Sequence, residues 1–174
     1  MKKSLFVVWL IGVLILSWCG GQDGLKKYND SIYTLIKECT DSTQVLFEKY
    51  EKSDESETVE SIMQILAEDI SICQKSEADL KKLGDYDGDA SLIDSALKVV
   101  WLEIAYLQKF ESTNHYWNIE TITDEDRLQY NGLVDELNDL EDSLNAQFLV
   151  LQQAQESFAA KHKLILDTQI EDVE

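Results

Sequence analysis

Proline is absent from the 174 residues, and glycine occurs only seven times. A strand-built chain of this size turns back on itself often, and turns draw on those two residues. Their scarcity argues against a β-rich body and favours helices. Basic side chains are also few, 15 Lys and Arg against 34 Asp and Glu, for a formal charge of −19. That field repels phosphate backbones, so nucleic acid is not an expected partner. No apolar run reaches the ~20 residues that a membrane-spanning helix needs. Glycine-rich phosphate loops and Gly-x-Ser-x-Gly elbows are missing, as is the Cys-x-x-Cys-His haem motif. Di-iron bundles use Glu-x-x-His pairs; the two histidines, His115 and His162, do not lie three residues after a glutamate. Cys39 and Cys73 have no histidine nearby in sequence to act as a base. With no catalytic constellation, the chain is not expected to be an enzyme or to carry a cofactor or a metal. Apolar residues nevertheless make up 44%, enough for one domain with a sizeable core.

The first twenty residues read as an address. Met1-Lys2-Lys3 precedes an apolar stretch from Leu5 to Leu16, the layout of a secretory signal. Leu16-Ser17-Trp18-Cys19 follows and resembles the bacterial lipobox. That resemblance implies a diacylglycerol on the Cys19 thiol, cleavage just before it, and acylation of the new amine. Trp18 departs from the pattern, which has a small residue there. Cleavage without lipid near Cys19 to Gly21, or an uncleaved signal anchor, stays open beside it. Several acyl chains on one residue exceed the two signals needed for stable anchoring. Removal of residues 1–18 takes two lysines and no acid, moving the formal charge from −19 to −21. Anionic lipid repels such a body. Cys19 to Gly24 is polar and glycine-rich, as suits a short tether. Gly20, rather than aspartate, follows the cysteine; in proteobacterial lipoproteins that points to the outer membrane.

Four amphipathic segments follow. From Leu25 to Ser53, Tyr28, Ile32, Leu35, Cys39, Ser42 and Leu46 recur at steps of three and four. From Glu57 to Leu83, Val59, Ile62, Leu66, Ile70, Cys73, Glu77 and Leu80 do the same, and Gly84 suits the helix end. The third segment, Asp89 to Asn114, follows Ile93, Ala96, Leu97, Val100, Ile104, Leu107 and Glu111. It is nearly apolar all round near Trp101 and is expected to be the most buried. The fourth runs from Thr123 to Asp167, opening on a capping-box pattern at Thr123-Asp124-Glu125-Asp126. It would measure about 67 Å, against about 40 Å for each of the others, so it protrudes or bends, with Gly132 as one place to bend. Short links between amphipathic segments predict an all-α, up-down-up-down four-helix bundle over residues 25–167, with a frayed tail at 168–174. In that topology the start of the first helix, the Gly84–Asp89 loop and the end of the fourth helix share the membrane-facing pole.

If Cys19 carries lipid, Cys39 and Cys73 remain on facing helices, about 5 Å apart in height when counted from the turn near Asp54. A disulfide and a pair of buried thiols are both compatible with that placement. Asp85, Asp87 and Asp89 alternate near Gly88, but Ala90 and Ala96 occupy the sixth and twelfth positions where an EF-hand needs glycine and glutamate. A solvated turn with an N-cap for the third helix is the better reading. His162 lies on the stripe of the fourth segment and reads as a core-edge residue. His115, Tyr116 and Trp117 form an aromatic group at the membrane-distal end, where it could plug the bundle or serve as an interaction patch. Asn29-Asp30-Ser31 matches the glycosylation triplet by chance within a helix.

The leader with Cys19, Tyr28-Asn29-Asp30 early in the first segment, and Gly88-Asp89 before the third together resemble small surface lipoproteins of spirochaetes and Bacteroidota. The resemblance carries no assigned activity. It implies a lipid-anchored protein of the cell envelope, held by its N-terminal lipid, with a binding or structural role. The alternative is a periplasmic or extracellular bundle that holds a small ligand or metal inside.

Overall fold

The computed structural model describes residues 23–52, 59–116 and 123–163. Helix α1 spans Asp23–Lys52, α2 Val59–Leu83, α3 Ser91–Ser112 and α4 Asp124–His162, with a 3-10 turn at Thr113–Tyr116 between the last two. This is an all-α four-helix bundle. Its seams run α1–α2, α2–α3 and α3–α4, with α3 also reaching α1 across the interior. The α1 and α4 helices form no extended seam. They meet through ring contact of Tyr28 with Phe158 and through the Gln155 amide, which donates to Asn29 Oδ1 at 3.1 Å. The leader and Cys19, the tail from 164 onward, and Trp117 lie outside the described residues. The tether expected over 19–24 is shorter at its far end, because Asp23 and Gly24 already belong to α1.

The start of α1, the turn between α2 and α3, and the end of α4 share one pole, as the up-down order requires. The Tyr28 hydroxyl donates to the Gly84 carbonyl at 2.8 Å. The Tyr86 ring meets Phe158 and His162 edge to face and Tyr28 at a tilt. Lys161 pairs with Asp89 at 2.8 Å. The turn itself pairs Tyr86 with Asp89 through two backbone hydrogen bonds. Asp87 and Gly88 both take positive φ, 54° and 78°, the conformation a two-residue reversal demands. The expected N-cap role of Asp89 is displaced by one residue. Ala90 occupies the N-cap position without a side-chain bond, while Asp89 Oδ1 accepts from the Ser91 N–H and hydroxyl.

The α3 helix is the most enclosed. Val99, Val100 and Leu107 are fully buried and Leu92 nearly so. Trp101, within its most apolar stretch, is instead 50% exposed, with the Lys98 ammonium 4.0 Å above the ring. Helices α1, α2 and α4 pack against α3, and Trp101 lies on the side they leave open. Thr123 starts α4 with a full capping box: its hydroxyl accepts from Asp126 N–H, and the Asp126 carboxylate accepts from Thr123 N–H. The helix runs unbroken through Gly132. At 39 residues it is about 58 Å long, against about 33 Å for α3. The 3-10 turn takes up the excess at one end, where Tyr116 meets Tyr130. The α2–α3 turn takes it up at the other, where Lys161 meets Asp89.

Candidate functional site

Of the residues singled out from sequence, Cys39 and Cys73 come together. They are joined by a disulfide, with α-carbons 4.6 Å apart, and both are fully buried between α1 and α2. His115 is exposed and Tyr116 half-buried. Their rings meet edge to face with centroids 5.1 Å apart, and the Tyr116 hydroxyl donates to Gln129 at 3.1 Å. The two sit at the end of the bundle away from the Gly84 turn. Trp117 is outside the described residues, so the three-residue aromatic group is placed only in part. His162 lies at the edge of the core, its side chain 17% exposed, with Nε2 3.7 Å from Asp89.

Next to the disulfide lies a layer that the stripes read from sequence do not contain. One turn from Cys39 on α1, Thr43 faces inward; one turn from Cys73 on α2, Asp69 does so at the same level; and Glu103 enters from α3. The expected stripe on α2 ran through Ile70 and Glu77, but the buried positions are Asp69 and Ser76. On α1 it ran through Ser42, whereas Thr43 is buried; Ile36, expected to widen that stripe, is buried. On α3 Phe110, not Glu111, is buried. Each difference is a step of one residue, about 100° around the axis, at single positions of stripes whose other members, such as Leu46, Leu66 and Val100, are buried as expected.

Glu103 is 1% exposed, and neither of its oxygens has a hydrogen-bond partner among the described residues. Asp69 Oδ2 is likewise without one. Burial disfavours a charged carboxylate. It pushes Glu103 up to about 7, with the Thr43 hydroxyl pulling back and the neighbouring Asp69 adding to the rise. Asp69 rises to about 6, first through burial and then through Glu68, against the opposing influence of Lys49 and the Ser42 hydroxyl. The Ser42 and Thr43 hydroxyls both donate to the Cys39 carbonyl. Glu103 had one visible signal, a single acid inside the otherwise apolar run from Val99 to Leu107. Asp69 had a weaker one, its position three after Leu66 and four before Cys73.

Two acids and a hydroxyl do not make a metal centre. Among the described residues, no three His, Cys, Asp or Glu side chains converge. The described surface carries open grooves, one along α1 by Lys27, Asp30 and Thr34 and another between α3 and α4 by Gln108, Lys109 and Glu136. No family profile, curated protein or solved structure matches this chain.

Proposed function

We infer that this is an exported bacterial lipoprotein, anchored through lipid on Cys19, whose helical bundle has a non-catalytic binding or structural role at the cell envelope, at the outer membrane. The observation that carries the reading is the sequence Leu16-Ser17-Trp18-Cys19 closing a basic-then-apolar leader. The disulfide between Cys39 and Cys73 supports it, because such bonds persist in oxidising compartments. Helix α1 begins at Asp23, four residues past Cys19, so an anchored chain holds the Gly84 pole within about 14 Å of its attachment point. Among the described residues no helix is long and apolar enough to cross a membrane, which leaves attachment to the leader or its lipid. Side chains fill the interior from Leu46 to Leu80, which favours action through the outer surface over a ligand held inside.

Mass spectrometry of the protein from its native membrane tests the reading. The expected product is a triacylated or diacylated peptide beginning at Cys19, and Cys19→Ser moves the protein from the membrane to the soluble fraction. An unmodified Cys19 thiol in a chain that retains its leader would overturn it.

A further inference from the structure

The buried acids divide the bundle along a particular line. Thr43 and Asp69 belong to α1 and α2, which the disulfide ties covalently one turn away. Glu103 belongs to α3, which is linked to that pair at this level by packing alone. α3 is in turn fastened to α4 by the Lys109–Glu136 ion pair and by the Gln147 amide, which donates to the Ser95 carbonyl at 3.3 Å. The polar layer therefore lies between two hairpins, a cross-linked α1–α2 and an uncross-linked α3–α4.

We propose that the Thr43–Asp69–Glu103 layer is a proton-controlled latch: with its carboxyls protonated α3 seats fully on the α1–α2 hairpin, and when they ionise the α3–α4 hairpin loosens from it while the disulfide keeps α1 and α2 together. A protonated carboxylic acid is a tolerable guest in an apolar layer. A carboxylate there is not, unless a cation or several donors meet it. Among the described residues, the groups that act on the layer are few. From α1 there are Thr43 and, acting on Asp69, Lys49 and the Ser42 hydroxyl. From α2 there are Asp69 itself and Glu68. From α4 no charged group acts on either acid directly; Glu141 and Glu103 both act on the Tyr106 hydroxyl, which burial already holds well above the usual phenol range. Lys49 is the one cation in that set, and an ionised Glu103 and an ionised Asp69 repel each other. Lys49 and the Ser42 and Thr43 hydroxyls offset only part of the cost of burial, since both carboxyls stay raised, so water must enter to hydrate the doubly ionised layer.

The direction follows from linkage. Glu103 and Asp69 keep their protons in the folded chain to higher pH than in the unfolded chain. Stability therefore falls as pH rises from the ordinary carboxylate range, near 4, through about 6 to 7, and stays low above that.

Hydrogen exchange on the purified full chain, disulfide intact, tests the latch at about pH 5 and about pH 8.5, with rates corrected for the intrinsic pH effect. Amides of α3 around Glu103 are expected to lose about tenfold or more in protection at the higher pH, while those of α1 and α2 around Cys39 and Cys73 hold. Glu103→Gln, neutral and nearly isosteric, is expected to keep α3 protected at both. A uniform loss in all helices, or a Glu103→Gln protein that titrates like the parent, would refute the proposal. Should that variant not fold, infrared spectroscopy of the parent decides. A protonated-carboxyl stretch that disappears on titration through neutrality, and shifts in Asp69→Asn, is expected; its absence near pH 5 sinks the latch.

Discussion

Glu103 and Asp89 show how differently two acids of one chain behave. Glu103 is sealed in and pushed up to about 7. Asp89 sits at the pole, where the Lys161 ammonium and then the Ser91 hydroxyl and N–H hold its carboxyl well below the usual range. Its contribution is present above the ordinary value of 3.8 and is lost as pH falls toward the depressed one. Asp89→Asn is therefore expected to flatten the acid limb of a stability–pH curve below about pH 4 and to leave the neutral limb unchanged, as urea titrations at several pH values would show. Glu103→Gln does the reverse. Leu107 has no exposed surface and lies on the enclosed helix. Leu107→Ala is expected to cost about 2–5 kcal/mol, read as a drop in the urea midpoint at constant slope.

Among the elements, α1 and α2 are held by a bond and α4 by its start. The disulfide closes a loop with a sequence separation of 34, for which the chain-entropy estimate is roughly 3–4 kcal/mol. Replacing both Cys39 and Cys73 by alanine is expected to lower stability by about that much, measured by chemical denaturation. A loss below about 1 kcal/mol would show that packing alone fixes the α1–α2 register. Thr123→Ala removes the reciprocal bonds of the capping box. It is expected to cost about 1 kcal/mol and to raise exchange in the first turn of α4 without touching the pole at His162. Trp101 has no such structural duty. It lies on the uncovered side of α3, and its indole fluorescence reports solvent access there.

At the scale of the whole molecule, charge and topology act together. The formal charge of −19 opposes compaction through self-repulsion. Moderate salt is expected to raise the melting temperature by screening it, and a fall would mean that exposed pairs such as Lys37–Asp41 outweigh the repulsion. The neutral-pH loss from the buried acids and the low-pH loss from Asp89 bracket a stability maximum near pH 4 to 5. Topology gathers the start of α1, the Gly84 turn and the end of α4 at one pole. A chain tethered through Cys19 therefore presents that pole to the membrane, and the His115–Tyr116 end away from it.

The helical character, the number of helices, their order and the shared pole were legible in the residues, because a 3.6-residue period, a capping box and a glycine stop are local properties of the chain. So was the enclosure of α3, whose apolar residues leave few positions for solvent. The main inward face of the first three helices was legible as well, since Cys39 and Leu46, Leu66 and Leu80, and Val100 and Leu107 are buried as expected; which of two adjacent residues completes each stripe was not. Ile70 and Asp69, Ser42 and Thr43, or Glu111 and Phe110 compete for the interior, and a single step of about 100° exchanges them. Only simultaneous packing of three helices decides that contest. In α2 it chose Asp69 over the more apolar Ile70, because the rotation that joins Cys73 to Cys39 also turns Asp69 inward. The same constraint left open, until the helices were assembled, whether the two thiols would meet, and it buried two acids within one layer that no single stripe had shown.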